Sequence, residues 1–171
     1  MHKSTRLDGD FFTRDVLAVA PGILGKVLAV RSGNGNPERF IIVDVEAYRG
    51  LEDKGCHASK GRTARTEIMF HTGGSLYVYL IYGMYWMLNV VTGKENDPQA
   101  VLIRGVGNCS GPGRVTRLLG IDGTFNREDL SVSDRIWIED AEPVKEFRTG
   151  VRIGIDYAGE YWKSRPWRYY I

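Results

Sequence analysis

The 171-residue chain has little with which to staple, metallate or anchor itself. It has two cysteines, Cys56 and Cys109, in no metal-ligand spacing. A chain of this size needs no disulfide to hold its fold, so both are expected to be free thiols. His57 and His71 lack the His-x-x-x-His or Cys-x-x-Cys spacing of a zinc site, so no metal is assigned. No apolar stretch approaches the roughly 20 residues that cross a bilayer, and the amino terminus lacks the apolar core of a signal peptide. No membrane association and an intracellular location are therefore expected. Lys and Arg number 23 against 21 Asp and Glu, a net charge of +2 that does not by itself demonstrate a polyanion partner. Any nucleic-acid site has to be a local patch.

With 43% hydrophobic and 26% charged residues, the sequence can build one substantial core. Residues 10–23 carry Phe11, Phe12, Val16, Leu17, Val19 and Ile23, which predicts short helical turns interrupted at Pro21-Gly22. Residues 26–31 and 39–48 predict two strands joined by a turn at an Asn-Gly pair. Residues 49–71 are polar and aperiodic and predict a long cationic loop. Such loops often carry function, the alternative being a solvated connection. Residues 75–91 predict two apolar strands bent at Tyr82-Gly83-Met84, and residues 98–106 another. Ser110-Gly-Pro-Gly predicts the start of a helix over 114–119, with Ser110 as its cap and Pro112 in its first turn. Residues 131–140 and 151–155 predict further strands. Many strands without strand-helix alternation predict an α+β fold. It is read as a single mixed domain, residues 1–171, on a curved antiparallel β-sheet with short flanking helices and a protruding β-hairpin.

Within that frame Glu46 stands out. Period-two alternation sets Asp44, Glu46 and Tyr48 on one face, opposite Val43 and Val45. A carboxylate at a strand end beside a cationic loop suits a general base, although an ionised Glu on a solvated sheet face is the commoner case. The run Tyr77, Tyr79, Tyr82, Tyr85, Trp86 suits either base stacking or a buried aromatic core. Tyr82 differs, because at a glycine-marked bend it is placed to project as a wedge. Residues 162–171 interleave aromatics with cations, which fits phosphate contact and equally a docked final strand.

The ordered motifs Val-Glu-Ala-Tyr (45–48), Glu-Asp (52–53) before His57, Leu-Tyr-Val-Tyr-Leu-Ile-Tyr-Gly-Met-Tyr (76–85) before Asn89, Val-Leu-Ile-Arg (101–104) and Cys-Ser-Gly-Pro (109–112) closely resemble the alkyladenine, or 3-methyladenine, DNA glycosylase family. The resemblance runs from about Phe11 to Ile171. It implies a monomeric enzyme of mixed α/β fold without cofactor, acting on double-stranded DNA that contains damaged purines: 3-methyladenine, 7-methylguanine, hypoxanthine or ethenoadenine. By the same resemblance Glu46 activates water, Arg104 helps hold that water, and Tyr48, His57 and Tyr79 sandwich the flipped base. Tyr82 intercalates with Met84 beside it, and Asn89 disfavours the amino group of guanine. The interval 104–109 is shorter than in longer members, and a water-positioning backbone carbonyl would fall at Ile171. Arg62 and Arg65 are expected on phosphates. No lysine falls within the pocket motifs, so no lyase activity is expected. Two rivals stay open: a silent nucleic-acid-binding module, and a nucleoside hydrolase using Asp44 as its second carboxylate.

Overall fold

The computed structural model describes residues 5–171. Two short helices lead in, α1 (Gly9–Phe12) and α2 (Val16–Ile23), each begun by an aspartate that accepts a backbone N–H: Asp8 from Phe11, Asp15 from Leu17. The break therefore falls between the helices, at residues 13–15, and α2 runs through Pro21 where the sequence suggested an interruption. Strands follow as β1 (Val27–Val30), β2 (Glu38–Arg49), β3 (Leu76–Ile81), β4 (Tyr85–Thr92), β5 (Gln99–Val106) and β6 (Cys109–Ser110). Then come α3 (Pro112–Leu119), β7 (Ile136–Glu139), β8 (Arg148–Gly150), α4 (Glu160–Lys163) and β9 (Arg168–Tyr170).

All strand pairs are antiparallel, in the order β3-β4-β5-β2-β1-β7, with β9 also on β2, so the fold is of the expected α+β class. The 12-residue strand β2 organises it. Its first half pairs with β1, its second with β5 and β9, and the register shifts between Ile42 and Val45. A shift of this kind bends a strand and raises its twist.

Alternation then divides the work between the two faces of the sheet. Val45, Ala47, Val78, Leu88, Val90, Val101 and Ile103 point to one side, where Phe12, Val16, Val19 and Ile23 pack on them. Tyr77, Ala100 and Val91 belong to a second cluster with Cys56, Ala58, Ile68, Met69 and Phe70. Those last five come from the segment expected to be a long loop. It carries two 3-10 turns, His57–Lys60 and Glu67–Phe70, because Ala58, Ile68, Met69 and Phe70 have a sheet face to bury against.

Three other expectations need correction. Ser110 ends β6 and does not cap α3; Gly111, at φ 106°, takes the cap position and supplies no side-chain bond. The strand expected over 131–140 forms only at Ile136–Glu139, since Asp129 draws Ser131 and Ser133 into turns. Residues 151–155 are irregular; the paired strand is β8, just before them. The Gly-Val-Gly-Asn interval closes as a tight hairpin between β5 and β6, with Gly107 at φ 52°.

Candidate active site

One transverse row of the sheet makes the site. Tyr77 on β3 pairs with Asn89 on β4, Asn89 with Leu102 on β5, Leu102 with Glu46 on β2, and Glu46 with Arg168 on β9. Two residues along the same faces stand Tyr79, Met87, Ala100, Arg104 and Tyr48. With His57, Ile153, Tyr157 and Gly111 to Arg114, most of these line a cavity of about 700 Å³. The residues singled out as Tyr48, His57, Tyr79, Asn89 and Arg104 are thus brought together, with Glu46 beneath them.

Glu46 is 0% exposed, which rules out the solvated-carboxylate alternative. Its Oε2 accepts the Tyr48 hydroxyl at 2.7 Å and its Oε1 the Ile153 N–H at 2.7 Å, while Arg104 Nη1 lies 3.4 Å from Oε1. Burial raises the Glu46 pKa; Arg104, Tyr48 and Ile153 oppose that rise without cancelling it, and Asp44 adds to it. The result is a buried carboxyl that ionises at higher pH than an ordinary glutamate. The backbone group on Glu46 belongs to Ile153; Ile171 instead donates to Val43 O, away from the carboxylate.

Asp44 is bound at both oxygens by Arg168, at 3.0 and 2.8 Å. It is therefore engaged as an ion pair and does not line the cavity, which counts against it as the nucleoside-hydrolase rival's second carboxylate. The carboxy-terminal aromatics and cations serve in part as a docked strand, β9.

The walls are aromatic. His57 Nδ1 lies 2.9 Å from the Tyr77 hydroxyl, and the His57 and Tyr79 rings are 4.6 Å apart. Burial first, then the nearby charges of Arg65 and Lys60, lower the His57 pKa to about 4, so the imidazole is neutral at neutral pH. Burial likewise pushes the Tyr48, Tyr77 and Tyr79 hydroxyls upward, and the Cys56 thiol to about 12. Asn89, 3% exposed, donates its amide to Tyr77 O at 3.1 Å.

The tip of the β3–β4 hairpin projects beside the mouth. Tyr82 is 84% and Met84 62% exposed, which decides against a core role for either. Met84 N–H closes the turn on Ile81 O, and both central residues have positive φ, Tyr82 at 53° and Gly83 at 65°. Glycine adopts that conformation freely; a tyrosine there is strained. The start of β4, next to the tip, is seated on α3: a methyl group at Gly113 would come within 2.8 Å of the Tyr85 ring, and Thr116 Oγ1 donates to Trp86 O.

Arg62 bonds Asn96 Oδ1 at 2.8 Å, pairs with Glu67 at 3.4 Å and lies over Phe70. Arg65 lies over Tyr79, 4.9 Å from the ring centroid, at the edge of the site.

The sequence reading gave no role to the Asp53–Arg152 pair, to the Ile153 backbone or to Tyr157, whose hydroxyl donates to Gly55 O. The signal for Arg152 was a lone cation among apolar residues in 151–155, a stretch read as a strand.

A buried, positioned carboxylate beside an aromatic slot, with an exposed aromatic tip outside, suits a site that receives a planar group carried on a larger molecule. A family model described as Methylpurine-DNA glycosylase (MPG) matches residues 10–108 and 106–171. A Natranaerobius thermophilus protein named "Putative 3-methyladenine DNA glycosylase" is 40% identical over 190 residues, 97% of this chain and 95% of the relative. Proteins of the same name from Methanocella arvoryzae and Wolbachia pipientis wMel are 43% and 39% identical, covering 96% and 98% of this chain and 91% and 95% of their own lengths. The chain belongs to the methylpurine-DNA glycosylase family, DNA-binding hydrolases of N-glycosyl bonds in base excision repair.

Proposed function

We propose that this protein turns an alkylated or deaminated purine out of duplex DNA into the aromatic slot and hydrolyses its glycosidic bond with water activated by Glu46. The observation that carries the reading is Glu46 itself, fully buried, its pKa raised by that burial, and fixed by Tyr48, Ile153 and Arg104. Cleavage passes through an oxocarbenium-like sugar, and a carboxylate beside C1′ both stabilises that charge and takes a proton from water. Arg104, 3.4 Å from Glu46 Oε1, helps hold that water.

In this account the base stacks among Tyr48, His57 and Tyr79. Electron-rich rings favour the cationic 3-methyladenine and 7-methylguanine, and a neutral His57 adds no repulsion. Hypoxanthine and ethenoadenine are the neutral candidates. Asn89, its amide tied to Tyr77 O, is in this reading the group that disfavours the amino group of guanine. Tyr82 fills the gap left in the stack, with Met84 beside it, and the strain at Tyr82 is consistent with a side chain kept for function. Arg62 and Arg65 meet the phosphate backbone, and reversing their charges flattens the salt dependence of binding. Among the described residues, none that lines the cavity is a lysine, which supports a monofunctional enzyme that leaves an abasic site, acting as a monomer by resemblance to its family.

The test is release of free base from duplexes containing 3-methyladenine, hypoxanthine or 1,N6-ethenoadenine, followed by detection of the abasic site. Release from at least one supports the reading; release from none rejects it.

A further inference from the structure

The Arg152 side chain and its partner Asp53 are both 0% exposed. The Arg152 Nη1 donates to Asp53 Oδ2 at 2.5 Å and to Ala47 O at 3.1 Å; Nη2 donates to Asp53 Oδ1 at 2.9 Å and to Trp162 O at 3.2 Å. Asp53 in turn accepts the N–H groups of Arg49 and Gly55. The guanidinium lies between two rings, 4.9 Å from the Tyr48 centroid and 5.0 Å from that of Trp167. Tyr48 lines the cavity whereas Arg152 and Trp167 do not, so the cation backs the ring from behind. The residue that follows, Ile153, gives its N–H to Glu46.

One planar cation thus ties the end of β2, the segment after it, the end of α4 and the Tyr48 ring, and anchors the peptide that touches the carboxylate. A buried ion pair adds little net stability over apolar packing, so stability alone is a weak reason for this arrangement. Fixing several groups in one geometry is what the rigid guanidinium fork does well.

We infer that Arg152 is a positioning residue for base excision, holding the Tyr48 ring and the Ile153 N–H in register with Glu46. The inference rests on Glu46 being the base. Around Glu46 stand Arg104 of β5, Tyr48 and Asp44 of β2, Arg168 of β9, Tyr79 of β3 and Tyr157, with the Ile153 N–H. That N–H lowers the Glu46 pKa, so loosening it raises the pH at which the base ionises.

Arg152→Lys keeps the charge, but an ammonium cannot span Asp53, Ala47 and Trp162 while lying flat on a ring. Single-turnover excision is expected to slow by at least about tenfold. Affinity for a lesion duplex should stay close to wild type, and the acid limb of the rate profile should move to higher pH. Trp167→Leu keeps the Asp53 pair and the donors and acceptors of all four hydrogen bonds, and removes the far ring of the stack together with its contact to the Trp162 ring. It should show the same changes, smaller in size, and it decides the question if Arg152→Lys does not fold by circular dichroism. Folded variants with wild-type rate and an unmoved acid limb overturn the inference. Glu46→Gln, assayed in parallel, separates the two failures: if it is inactive while the Arg152 and Trp167 variants match wild type, positioning alone fails. If it is active, the Glu46 reading fails.

Discussion

Tyr48 lines the cavity with its ring and donates its hydroxyl to Glu46 Oε2 at 2.7 Å, so one side chain shapes the slot and holds the carboxylate. Where the substrate sits and where the base points are thereby coupled. Tyr48→Phe separates the two. The ring remains, so affinity for a lesion duplex should change little. The lost bond to a charged acceptor is worth about 1.5–3 kcal/mol, which sets the expected fall in single-turnover rate at roughly tenfold or more. Because that bond lowers the Glu46 pKa, the acid limb of the rate profile should shift to higher pH. An unchanged limb contradicts the coupling.

Glu46 also makes stability depend on pH. Its folded-state pKa lies above its ordinary value, so the folded protein favours the neutral carboxyl. That stabilisation is complete below the ordinary glutamate pKa and is lost as pH rises through the raised value. Glu46→Gln should therefore raise the melting temperature at neutral pH by a few degrees, and the gain should shrink on acidification. Calorimetric melts at several pH values check it; a loss of stability at neutral pH would contradict the sign.

His57 behaves in the opposite sense. Its pKa is depressed from 6.5 to about 4, so its contribution to stability is present above 6.5 and lost as pH falls towards 4. The His57 ring resonances should titrate near the lower value in NMR. Arg65→Gln should move the midpoint upward, since the positive charge of Arg65 is the largest cause of the depression after burial. A midpoint unmoved by that substitution would show that Arg65 takes no part in the depression.

The sheet was legible in the sequence because it follows from alternation, whereas Tyr48, His57, Tyr79 and Asn89 were gathered into one slot only by the family resemblance. Glu46 and Tyr48 share a face by period two, and the glycine-marked bend at Tyr82-Gly83 gives a real hairpin tip. The pieces that escaped are those for which local pattern is silent. The 3-10 turns of residues 57–60 and 67–70 exist because a sheet face lies above them, and the Ile153 N–H reaches Glu46 from 107 positions away. Ser110 looked like a cap by residue type, yet β6 claims it through pairing with Gly105. Asp44 and Glu46 share a face by alternation and both are buried, but the partners that distinguish them come from distant segments: Arg168 on Asp44, and Ile153 and Arg104 on Glu46.

Tyr82 offers a test in which stability and function part. A left-handed tyrosine costs on the order of 1 kcal/mol, and asparagine tolerates that conformation. Tyr82→Asn should therefore leave the protein equally or more stable to heat, while weakening base flipping and lesion binding. Fluorescence of 2-aminopurine beside a lesion, with thermal melts in parallel, measures both. Wild-type flipping in the variant would remove Tyr82 from the wedge role.

The central claim is that Glu46 activates the attacking water. Its most direct measurement is single-turnover release of hypoxanthine or 1,N6-ethenoadenine from duplex DNA by wild type and by Glu46→Gln, with lesion binding measured on the same duplexes. The account predicts that binding survives and excision falls by orders of magnitude. Excision near the wild-type rate in the Glu46→Gln protein would contradict it.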